Sequence, residues 1–507
     1  MNTYLGIELG STRIKAVQIN DDFIPVDSSA HDWKSCFENG VWTYDLTDAI
    51  NGVKDALSAI KNKDSVKSVG ISGMMHGYLA FDKDWNLLTP FRTWQNTITA
   101  EAASILTQEF NFNIPQRWSI AHLYQAVLNN EEHITKIAHI TTLAGYIHFL
   151  LTGVNAVGVG EAAGIFPIDS DNLCYNKQMV KKFDRLIAPL NLPWQLSDVL
   201  PDVLVAGDNA GYLTENGAKI IDNMLRVGTQ FAPPEGDAST GMVATNAIAE
   251  KTGNISAGTS IFAIIVLEKA LQNIYEEIDL GTTPTGKPIA MVHCNNCTND
   301  SNAWFSVFDE TLSLFDAKYT KEELYTKLYQ KSLDGDADCG GVLVCNYMAG
   351  EGITHLDSGR PLVIRRPNAN FTLANFLKAT LYSTMATLKL GMDILSKENV
   401  KIDSLTGHGG LFKTKGVGQK YMSAALNTPI TVMETAGEGG AYGMALLAAF
   451  SNENKNEKLE DFLNNYVFNS AGKTTFVPEK DDVLGFAKYI DEYQKLLLIE
   501  KAATEIM

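Results

Sequence analysis

The feature that most restricts the fold of this 507-residue chain is a short pattern that occurs twice. Residues 7–19 read IELGSTRIKAVQI and residues 255–267 read ISAGTSIFAIIVL, so the copies lie 248 positions apart. Each copy has an apolar run, a glycine, two hydroxyl residues and a second apolar run, which predicts two strands joined by a turn. A unit that recurs half a chain later indicates two related lobes, although the same local pattern is common in α/β proteins by chance.

Length and composition agree with two domains. A chain of 507 residues exceeds the size that one hydrophobic core usually serves, and 45% hydrophobic with 20% charged residues is typical of a globular protein. The polar, glycine-containing stretch TNAIAEKTGN at 245–254 predicts domains at 1–248 and 249–507. Strand patterns alternate with helical ones, which indicates an α/β architecture with ligands at strand ends.

The charge balance restricts the partners. A formal net charge of −18 argues against a nucleic-acid groove and against an anionic membrane surface, and leaves a small-molecule substrate. No apolar run is long enough to span a bilayer, and residue 4 onward already reads as a strand, so we expect a cytoplasmic protein. The sequence leaves open whether two copies form a homodimer.

Six cysteines in so long a chain do not form a disulfide framework. Cys294 and Cys297 make a CxxC pair, but Cys339 and Cys345 do not supply a second pair at the spacing of a zinc site. The pattern favours buried structural thiols over a metal centre.

The turn of the first hairpin is the first candidate site. Gly10, Ser11 and Thr12 offer backbone N–H groups and hydroxyls to phosphate oxygens, although a Gly-Ser-Thr turn taken alone is more often an ordinary turn. Glu8 is placed to position hydrated Mg²⁺, and Lys15 to neutralise phosphate charge. No GxxxxGK[ST] or GxGxxG pattern follows the first strand, which argues against a P-loop protein and a nicotinamide oxidoreductase.

Two further stretches combine glycine with acids. In EGDASTG at 235–241, small neighbours leave space around the Asp237 carboxylate, which could take a proton from a hydroxyl; the spacing alone fits a helix N-cap at least as well. Gly409 with Gly410, and Glu438 with the two glycines after it, stand before predicted helices. They would admit a base or a diphosphate, or simply cap helices.

Taken in order, these stretches resemble the FGGY carbohydrate kinases, which are sugar kinases with the actin-like ATPase fold. ELGSTRIK at 8–15 is similar to the first phosphate motif of that family, and EGDASTG to its catalytic-aspartate loop. GISGMMHG at 70–77 and GEAAG at 160–164 resemble two xylulokinase segments, the Gln-Met-His-Gly sugar segment and the Asp-Ala-Ala-Gly stretch. The run from Gly409 to Ile430 resembles the adenine-side end, with a spacing closer to that of L-ribulokinases.

The resemblance implies a two-lobed, actin-like (ribonuclease H-like) α/β fold that binds ATP and Mg²⁺ with its active site in the interlobe cleft. Asp237 would be the general base that deprotonates the attacking sugar hydroxyl, and Glu8 the metal-positioning acid. The other roles that it implies are phosphate binding by Gly10, Ser11, Thr12, Lys15, Gly258, Thr259 and Ser260, nucleotide binding by Gly409 and Gly410, and sugar binding by Met75, His76, Trp94 and Asn96.

Departures from the family pattern affect the substrate. Glu8 stands where the family has Asp, Met74 where xylulokinases have Gln, and Ala238 where they have Asn, while Gln95-Asn96 replaces Asn-Asp after Trp94. We expect a ketopentose kinase with D-xylulose as first choice, and L-ribulose or another ketose as the alternative. A non-catalytic ATP-binding regulatory protein is the alternative of another class. His76 also fits a strand-end histidine that bonds a backbone carbonyl, and Trp94 a core residue.

Overall fold

The structure is a computed structural model that describes residues 2–433, 439–453, 457–469 and 471–506. Glu438, which the sequence analysis placed before a helix, lies outside the described residues. The strands are β1 (Thr3–Leu9), β2 (Arg13–Asn20), β3 (Pro25–Asp32), β4 (Cys36–Glu38), β5 (Val41–Thr43), β6 (Val66–Gly73), β7 (Leu79–Phe81), β8 (His139–Thr141), β9 (Ala156–Gly158), β10 (Ile168–Asp169), β11 (Cys174–Tyr175), β12 (Asp202–Leu204), β13 (Gln230–Phe231), β14 (Glu235–Gly236), β15 (Thr252–Ala257), β16 (Ile261–Val266), β17 (Ile278–Thr282), β18 (Pro288–Cys294), β19 (Val342–Cys345), β20 (Leu362–Arg365), β21 (Ser404–His408), β22 (Ile430–Met433) and β23 (Lys473–Phe476).

The helices are distributed along the whole chain. They are α1 (Leu46–Ala59), α2 (Ala100–Phe110), α3 (Ser119–Leu128), α4 (Leu143–Thr152), α5 (Val159–Ala162), α6 (Lys177–Ile187), α7 (Leu196–Val199), α8 (Glu215–Ile220), α9 (Asp237–Ala244), α10 (Asn299–Ser313), α11 (Lys321–Ser332), α12 (Leu373–Lys397), α13 (Val417–Leu426), α14 (Gly439–Glu453), α15 (Leu459–Phe462) and α16 (Lys480–Thr504).

The chain divides into two compact units that are not continuous in sequence. Unit 1 comprises Met1–Ile248, Leu280–Ile289 and Glu438–Ala471, and unit 2 comprises Ala249–Asp279, Ala290–Gly437 and Gly472–Met507. The predicted domains, 1–248 and 249–507, differ from this division in the segments at 280–289 and 438–471. The later segment belongs to unit 1 because it contains α14, which packs against β1, β6 and α9. Local sequence patterns do not carry such a long-range contact.

The main sheet of unit 1 has the strand order β13-β6-β1-β2-β3, with β14 also paired to β6. β1 and β2 form an antiparallel hairpin, and β1 runs parallel to β6. Helix α14 lies directly on this sheet, because a Cβ at Gly6 would lie only 2.0 Å from the carbonyl oxygen of Ala441, and one at Gly70 only 2.2 Å from Cε of Met444. The helix expected after Glu438 and its two glycines is present, and each of its residues 441–450 is buried.

The main sheet of unit 2 repeats this arrangement. Its strand order is β17-β18-β16-β15-β21-β22-β23. β15 and β16 form an antiparallel hairpin, and β15 runs parallel to β21. The two hairpins therefore hold the same topological position, each beside a parallel strand that follows much later in the chain. The sequence echo is thus a structural repeat, and the turns at 10–12 and 258–260 are its equivalent points.

Candidate active site

Asp237 stands where β14 ends and α9 begins. β14 pairs in parallel with the end of β6, which brings Gly236 level with Gly73. The structure assigns Gly236 as the N-cap of α9, so the prediction of an Asp237 N-cap is wrong: the acid is the first residue of the helix. Its carboxylate accepts hydrogen bonds from the backbone N–H of Ala238 at 2.9 Å and of Met75 at 3.3 Å. Burial raises the pKa of Asp237, and these two N–H groups oppose the rise.

Glu8 is the second acid of this part of unit 1. It lies at the end of β1, opposite Lys15 in β2. Its Oε2 accepts a hydrogen bond at 3.1 Å from the N–H of Ala441, in the first turn of α14. Burial and the negative charge of Asp237 raise the pKa of Glu8 to about 7, while the Ala441 N–H and the charge of Lys15 lower it. The negative charges of Glu8 and Asp237 repel each other, and a cation bound beside Glu8 would reduce this repulsion.

The predicted phosphate turn of unit 1 is held by its carbonyl oxygens. Gly10 O accepts from the indole Nε1 of Trp33 at 2.6 Å, Ser11 O from the Tyr44 hydroxyl at 2.7 Å, and Thr12 O from the Trp33 N–H at 3.1 Å. Ser11 and Thr12 are exposed, and within the part of the chain that the structure describes their N–H groups meet no acceptor. A turn with anchored carbonyls and exposed N–H groups suits an anion.

The predicted sugar residues follow β6 directly. His76 has a φ of 68° and precedes Gly77 at 90°, a backbone conformation that L-residues rarely adopt and that is common at functional loops. His76 Nδ1 lies 3.4 Å from Gly164 O, so the histidine bonds a backbone carbonyl, which was one of its two predicted roles. Burial and the positive charge of Arg117 lower the pKa of His76 to about 3, which keeps the ring neutral.

Trp94 and Asn96 differ in what they offer to a ligand. The side chain of Trp94 is 42% exposed, so the alternative of a core tryptophan is wrong. The amide of Asn96 is buried and bonds the strand residue Trp42 in both directions, accepting from its N–H and donating to its carbonyl oxygen, each at 2.8 Å. It also donates to Thr93 O at 3.0 Å. The Asn96 side chain is thus engaged in holding Trp42, and its sugar-binding role stays a prediction.

The sequence analysis did not single out the two acids beside Asp237. Glu161 and Glu235 are both fully buried, and the carboxylate of Glu235 accepts from the N–H groups of Gly160 at 3.3 Å and Glu161 at 2.9 Å. Burial raises the pKa of both carboxyl groups, that of Glu235 to about 8. In the sequence these two acids are visible only as the glutamate of GEAAG and the first glutamate of EGDASTG, each surrounded by small residues.

The equivalent turn of unit 2 is built from Gly258, Thr259 and Ser260. Gly258 O accepts from both the N–H and the hydroxyl of Thr298, at 3.2 and 2.7 Å, and Thr259 O accepts from the N–H of Cys297 at 3.0 Å. The CxxC segment therefore supports this turn. Cys294 and Cys297 are free and buried, as expected for structural thiols, and burial raises the pKa of Cys297 to about 12.

Gly409 and Gly410 follow β21, next to the end of β15. Gly409 has a φ of 99°, and a Cβ there would lie 2.4 Å from Ala257 O, so only glycine fits. Gly410 lines a groove of about 490 Å³ that sequence reasoning missed. The other residues that line this groove are Thr298, Asn302, Lys321, Glu322, Tyr325, Thr326, Tyr329, Lys413 and Thr414.

The chemistry of this groove suits a nucleoside. The Tyr325 hydroxyl donates to Oδ1 of Asn302 at 3.2 Å, and the Lys321 ammonium lies 5.7 Å from the Tyr325 ring centroid. Aromatic faces stack on a base, an amide reads its edge, and lysines attract phosphate charge. These residues come from α10, α11 and the loop after β21, and no short motif links them.

Comparison with known proteins identifies the family. The model of the FGGY carbohydrate kinase N-terminal domain matches residues 3–227, and that of the C-terminal domain matches residues 253–452. The chain belongs to the FGGY family of carbohydrate kinases. Membership makes this FGGY protein an ATP-dependent sugar phosphotransferase and confirms the predicted actin-like fold class.

Relatives of this FGGY protein are distant. It is 22% identical over 477 residues to a xylulose kinase of Haemophilus influenzae, covering 89% of this chain and 90% of the relative. A ligand-bound xylulose kinase and a gluconate kinase, both from Lactobacillus acidophilus, superpose with TM-scores of 0.80 and 0.79 at 15% and 17% identity. Each covers at least 98% of this chain, and this chain covers 98% of each. The fold therefore does not separate the two substrates.

The donor set of unit 1 fits a nucleotide-borne magnesium ion. Mg²⁺ keeps several waters and is usually bound by one or two carboxylates together with substrate phosphates. Glu8 supplies such a carboxylate two residues before the turn at 10–12, and the described residues contain no cluster of three His, Cys, Asp or Glu that could hold a metal by themselves. Nor is any helix in the described ranges long and apolar enough to cross a membrane.

Proposed function

We propose that this kinase transfers the γ-phosphoryl group of ATP to the terminal hydroxyl of a ketopentose, with D-xylulose as the first candidate. The observation that carries the proposal is the Asp237 carboxylate, fixed by the Met75 and Ala238 N–H groups at the turn between β14 and α9. A sugar hydroxyl that attacks a phosphoryl group must lose its proton, and a buried carboxylate held in a fixed position can accept that proton. L-Ribulose or another ketose is the alternative acceptor.

Asp237 would act as the general base. Its pKa is raised by burial, which increases the affinity of the carboxylate for the hydroxyl proton, while the two N–H bonds favour the charged form and oppose this rise. Phosphoryl transfer depends mainly on positioning and charge neutralisation, so the base adds to a reaction whose larger part is electrostatic.

The phosphate groups of ATP would be held by the two equivalent turns. Gly10, Ser11 and Thr12 with Lys15 supply one set of N–H groups and a cation in unit 1; Gly258, Thr259 and Ser260 supply the matching turn in unit 2. The groove at Tyr325 and Lys413, which Gly410 lines directly after Gly409, would bind the nucleoside. Glu8 would hold Mg²⁺, which when bound neutralises phosphate charge.

The sugar would bind at Met75, His76 and Trp94, with Asn96 fixing the strand behind them. Because the Nδ1–H of the neutral His76 ring donates to Gly164 O, its Nε2 is left to accept a hydrogen bond from a sugar hydroxyl. The exposed Trp94 ring offers an apolar face to the carbon skeleton of the sugar. The neutral amides Gln95 and Asn96, where an acid is expected, make a ketose other than D-xylulose the main competitor.

An ADP-release assay over a panel of acceptors tests the proposal. The panel contains D-xylulose, L-ribulose, D-ribulose, L-xylulose, L-rhamnulose, L-fuculose, sedoheptulose and gluconate, with a control that lacks sugar. We expect D-xylulose to give the highest kcat/KM. A higher value for gluconate or for a six-carbon ketose would overturn the ketopentose assignment, and ADP release that no sugar stimulates would favour the non-catalytic alternative.

A further inference from the structure

Behind the catalytic turn, unit 1 buries a pair of carboxyl groups that the proposed mechanism does not use. Glu161 is 0% exposed and Glu235 is 1% exposed, and Glu235 directly precedes Gly236 and Asp237 in the chain. Burying two acids side by side is costly unless each is hydrogen-bonded or neutral. Glu235 and Glu161 differ in the hydrogen bonds that compensate their burial.

Glu235 is supplied with donors. Its Oε1 accepts from the N–H of Gly160 and its Oε2 from the N–H of Glu161, and Ser239 contributes a side-chain hydrogen bond. The fit is tight, because a Cβ on Gly158 would lie 2.2 Å from Oε1 and one on Gly160 would lie 2.5 Å from Oε2. Glu235 thereby clamps the first turn of α5 onto β14, and any negative charge of the pair belongs on this residue.

Glu161 has no comparable support. Neither of its carboxyl oxygens meets the distance and angle of a hydrogen bond within the described chain, although the Thr142 hydroxyl is close enough to favour the charged form. The hydroxyl of Tyr175 is also buried without a partner, and the charge of Glu161 acts on it. The groups that face Glu161 are therefore two acids, Glu235 and Asp237, and two hydroxyls, Thr142 and Tyr175.

The Glu161 carboxyl touches the backbone of the catalytic turn. A Cβ on Gly236 would lie 2.6 Å from Oε2 of Glu161 and 2.1 Å from Cγ of Met75, so both side chains pack against the side of Gly236 where a Cβ would stand. Met75 is also the residue whose N–H binds the Asp237 carboxylate. Any shift of the Glu161 carboxyl is thus transmitted through Gly236 to both ends of that hydrogen bond.

We propose that Glu161 is a positioning residue that is held as a neutral carboxylic acid, and that its uncharged carboxyl group supports Gly236 from behind and fixes the geometry of Asp237. The proposal rests on the proposed function, since Asp237 matters here as the base. A neutral acid fits the surroundings because it places no negative charge next to the carboxyl groups of Glu235 and Asp237, and its O–H can donate to the nearby hydroxyl of Thr142.

If Glu161 is neutral, the substitutions Glu161→Gln and Glu161→Asp should affect kcat differently. Glu161→Gln keeps the length, the neutral charge and a hydrogen-bond donor, so kcat should stay within about threefold of wild type. Glu161→Asp keeps the acid but withdraws it from Gly236 by one methylene, so kcat should fall about tenfold or more, since a misplacement of roughly 1 Å near a reacting group is that costly. The dissociation constant of ATP should stay nearly unchanged in both variants, because the groups that face Glu161 belong neither to the two phosphate turns nor to the nucleotide groove.

The matched controls are Glu215→Gln and Glu215→Asp, at an exposed position in the first turn of α8, where neither change should affect kcat. Two kinetic results would overturn the proposal. If Glu161→Gln were as impaired as Glu161→Asp, Glu161 would act as an ionised group. If both variants lowered only the melting temperature while kcat was retained, the residue would be purely structural.

Two measurements keep the proposal testable should Glu161→Asp fail to fold. Infrared spectroscopy of the wild-type protein at neutral pH should show absorption from buried protonated carboxyl groups in the C=O stretching region, and this absorption should lose the contribution of one group in Glu161→Gln; an identical spectrum for the two proteins overturns the neutral state. The acid limb of the kcat/KM pH profile should be the same in Glu161→Gln as in wild type, and a shift to lower pH would reveal a lost negative charge. If the wild-type protein is inactive on every sugar, the proposed function is wrong, and so is the positioning role of Glu161. If the wild-type protein is active but Glu161→Gln is impaired, only the positioning role is wrong.

Discussion

The backbone N–H of Met75 donates a 3.3 Å hydrogen bond to the carboxylate of Asp237, although the two residues lie 162 positions apart. Met75 follows β6 and Asp237 follows β14, and these two strands pair in parallel. The carboxyl ends of both strands therefore meet at one edge of the sheet, which is where α/β proteins place their ligands. The same contact joins the segment proposed to bind the sugar to the residue proposed to deprotonate it.

Removal of the base should separate turnover from binding. Asp237→Asn keeps the size of the side chain and can still accept from the Met75 N–H, but it cannot take up a proton. We expect kcat to fall by a factor on the order of a hundred or more while the ATP dissociation constant changes little. Steady-state kinetics together with equilibrium nucleotide binding measure both quantities.

Asp22→Asn, at an exposed position after β2, is the control for the loss of one carboxylate from unit 1. Its kcat should match that of wild type. An Asp237→Asn enzyme with unchanged kcat would remove Asp237 from the mechanism, whatever the geometry of its turn.

Glu8 should make the magnesium requirement depend on pH. Burial and the charge of Asp237 raise the pKa of Glu8 to about 7, so protons compete with the cation for this carboxylate as the pH falls below that value. The Mg²⁺ concentration for half-maximal activity should therefore rise between pH 7.5 and about 6, and saturating Mg²⁺ should restore part of the activity. Activity measured over a matrix of pH and Mg²⁺ concentration tests this.

Glu8→Gln is the informative variant for this prediction, because its amide cannot titrate. It should need more Mg²⁺ than wild type at every pH, with a requirement that no longer changes between pH 6 and 7.5. A Gln variant with the same pH dependence as wild type would assign the effect to another group.

The sequence predicted those parts of the fold that depend on local patterning. The two hairpins were visible because an apolar run, a Gly-hydroxyl turn and a second apolar run specify strand, turn and strand within about 13 residues. The buried helix α14 was visible because Ala, Leu and Met recur without an interrupting charge. The lysine and the acid of the first hairpin followed from the same register, in which Glu8 and Lys15 face each other.

The parts that depend on distant partners could not be predicted. Whether Asn96 is free to bind a sugar depends on Trp42, which lies 54 positions away. The backbone of Trp42 bonds both the oxygen and the nitrogen of the Asn96 side-chain amide. Whether Asp237 caps α9 or begins it depends on how β14 pairs with β6. The groove at Tyr325 is assembled from separate helices and a loop, and the burial that shifts a pKa does not exist until the chain has folded.

Gly409 and Gly410 should respond differently to the same substitution. A Cβ on Gly409 would be 2.4 Å from Ala257 O on a residue with a φ of 99°, whereas one on Gly410 would be 4.0 Å from that oxygen. Gly409→Ala should therefore destabilise the fold by about 1–3 kcal/mol, and Gly410→Ala should leave stability nearly unchanged. Urea unfolding of the two variants makes the comparison; equal losses would show that the backbone after β21 adapts.

The lysines beside the nucleotide groove offer a second matched pair. Lys413 lines the groove at Tyr325, and Lys415, two residues later, is exposed and does not. Lys413→Ala should weaken ATP binding by roughly fivefold at low ionic strength and less at high salt, because an exposed charge contributes modestly and is screened. Lys415→Ala should bind ATP as wild type does. If both substitutions weakened binding equally, the effect would come from net charge and not from the groove.

The buried acids behind the catalytic turn should make the protein less stable as the pH rises. Glu235 ionises near 4.5 in an unfolded chain, but burial raises its pKa to about 8 in the native state, so between these values the folded protein holds a proton that the unfolded chain has released. Stability contributed in this way is complete below pH 4.5 and is lost as the pH rises toward 8. The raised pKa of Glu161 acts in the same direction.

Comparison of two proteins in the window from pH 6.5 to 8 isolates this effect, because the buried rings of His76, His122 and His148, whose pKa values are lowered on folding, contribute equally to both proteins. In that window the free energy of unfolding of wild type should fall more steeply with pH than that of Glu235→Gln, which cannot ionise, while the exposed control Glu215→Gln should follow wild type. Urea titrations at several pH values give the two slopes. Parallel slopes for wild type and Glu235→Gln would mean that Glu235 is already ionised in the folded protein, stabilised by the N–H groups of Gly160 and Glu161 against the cost of its burial.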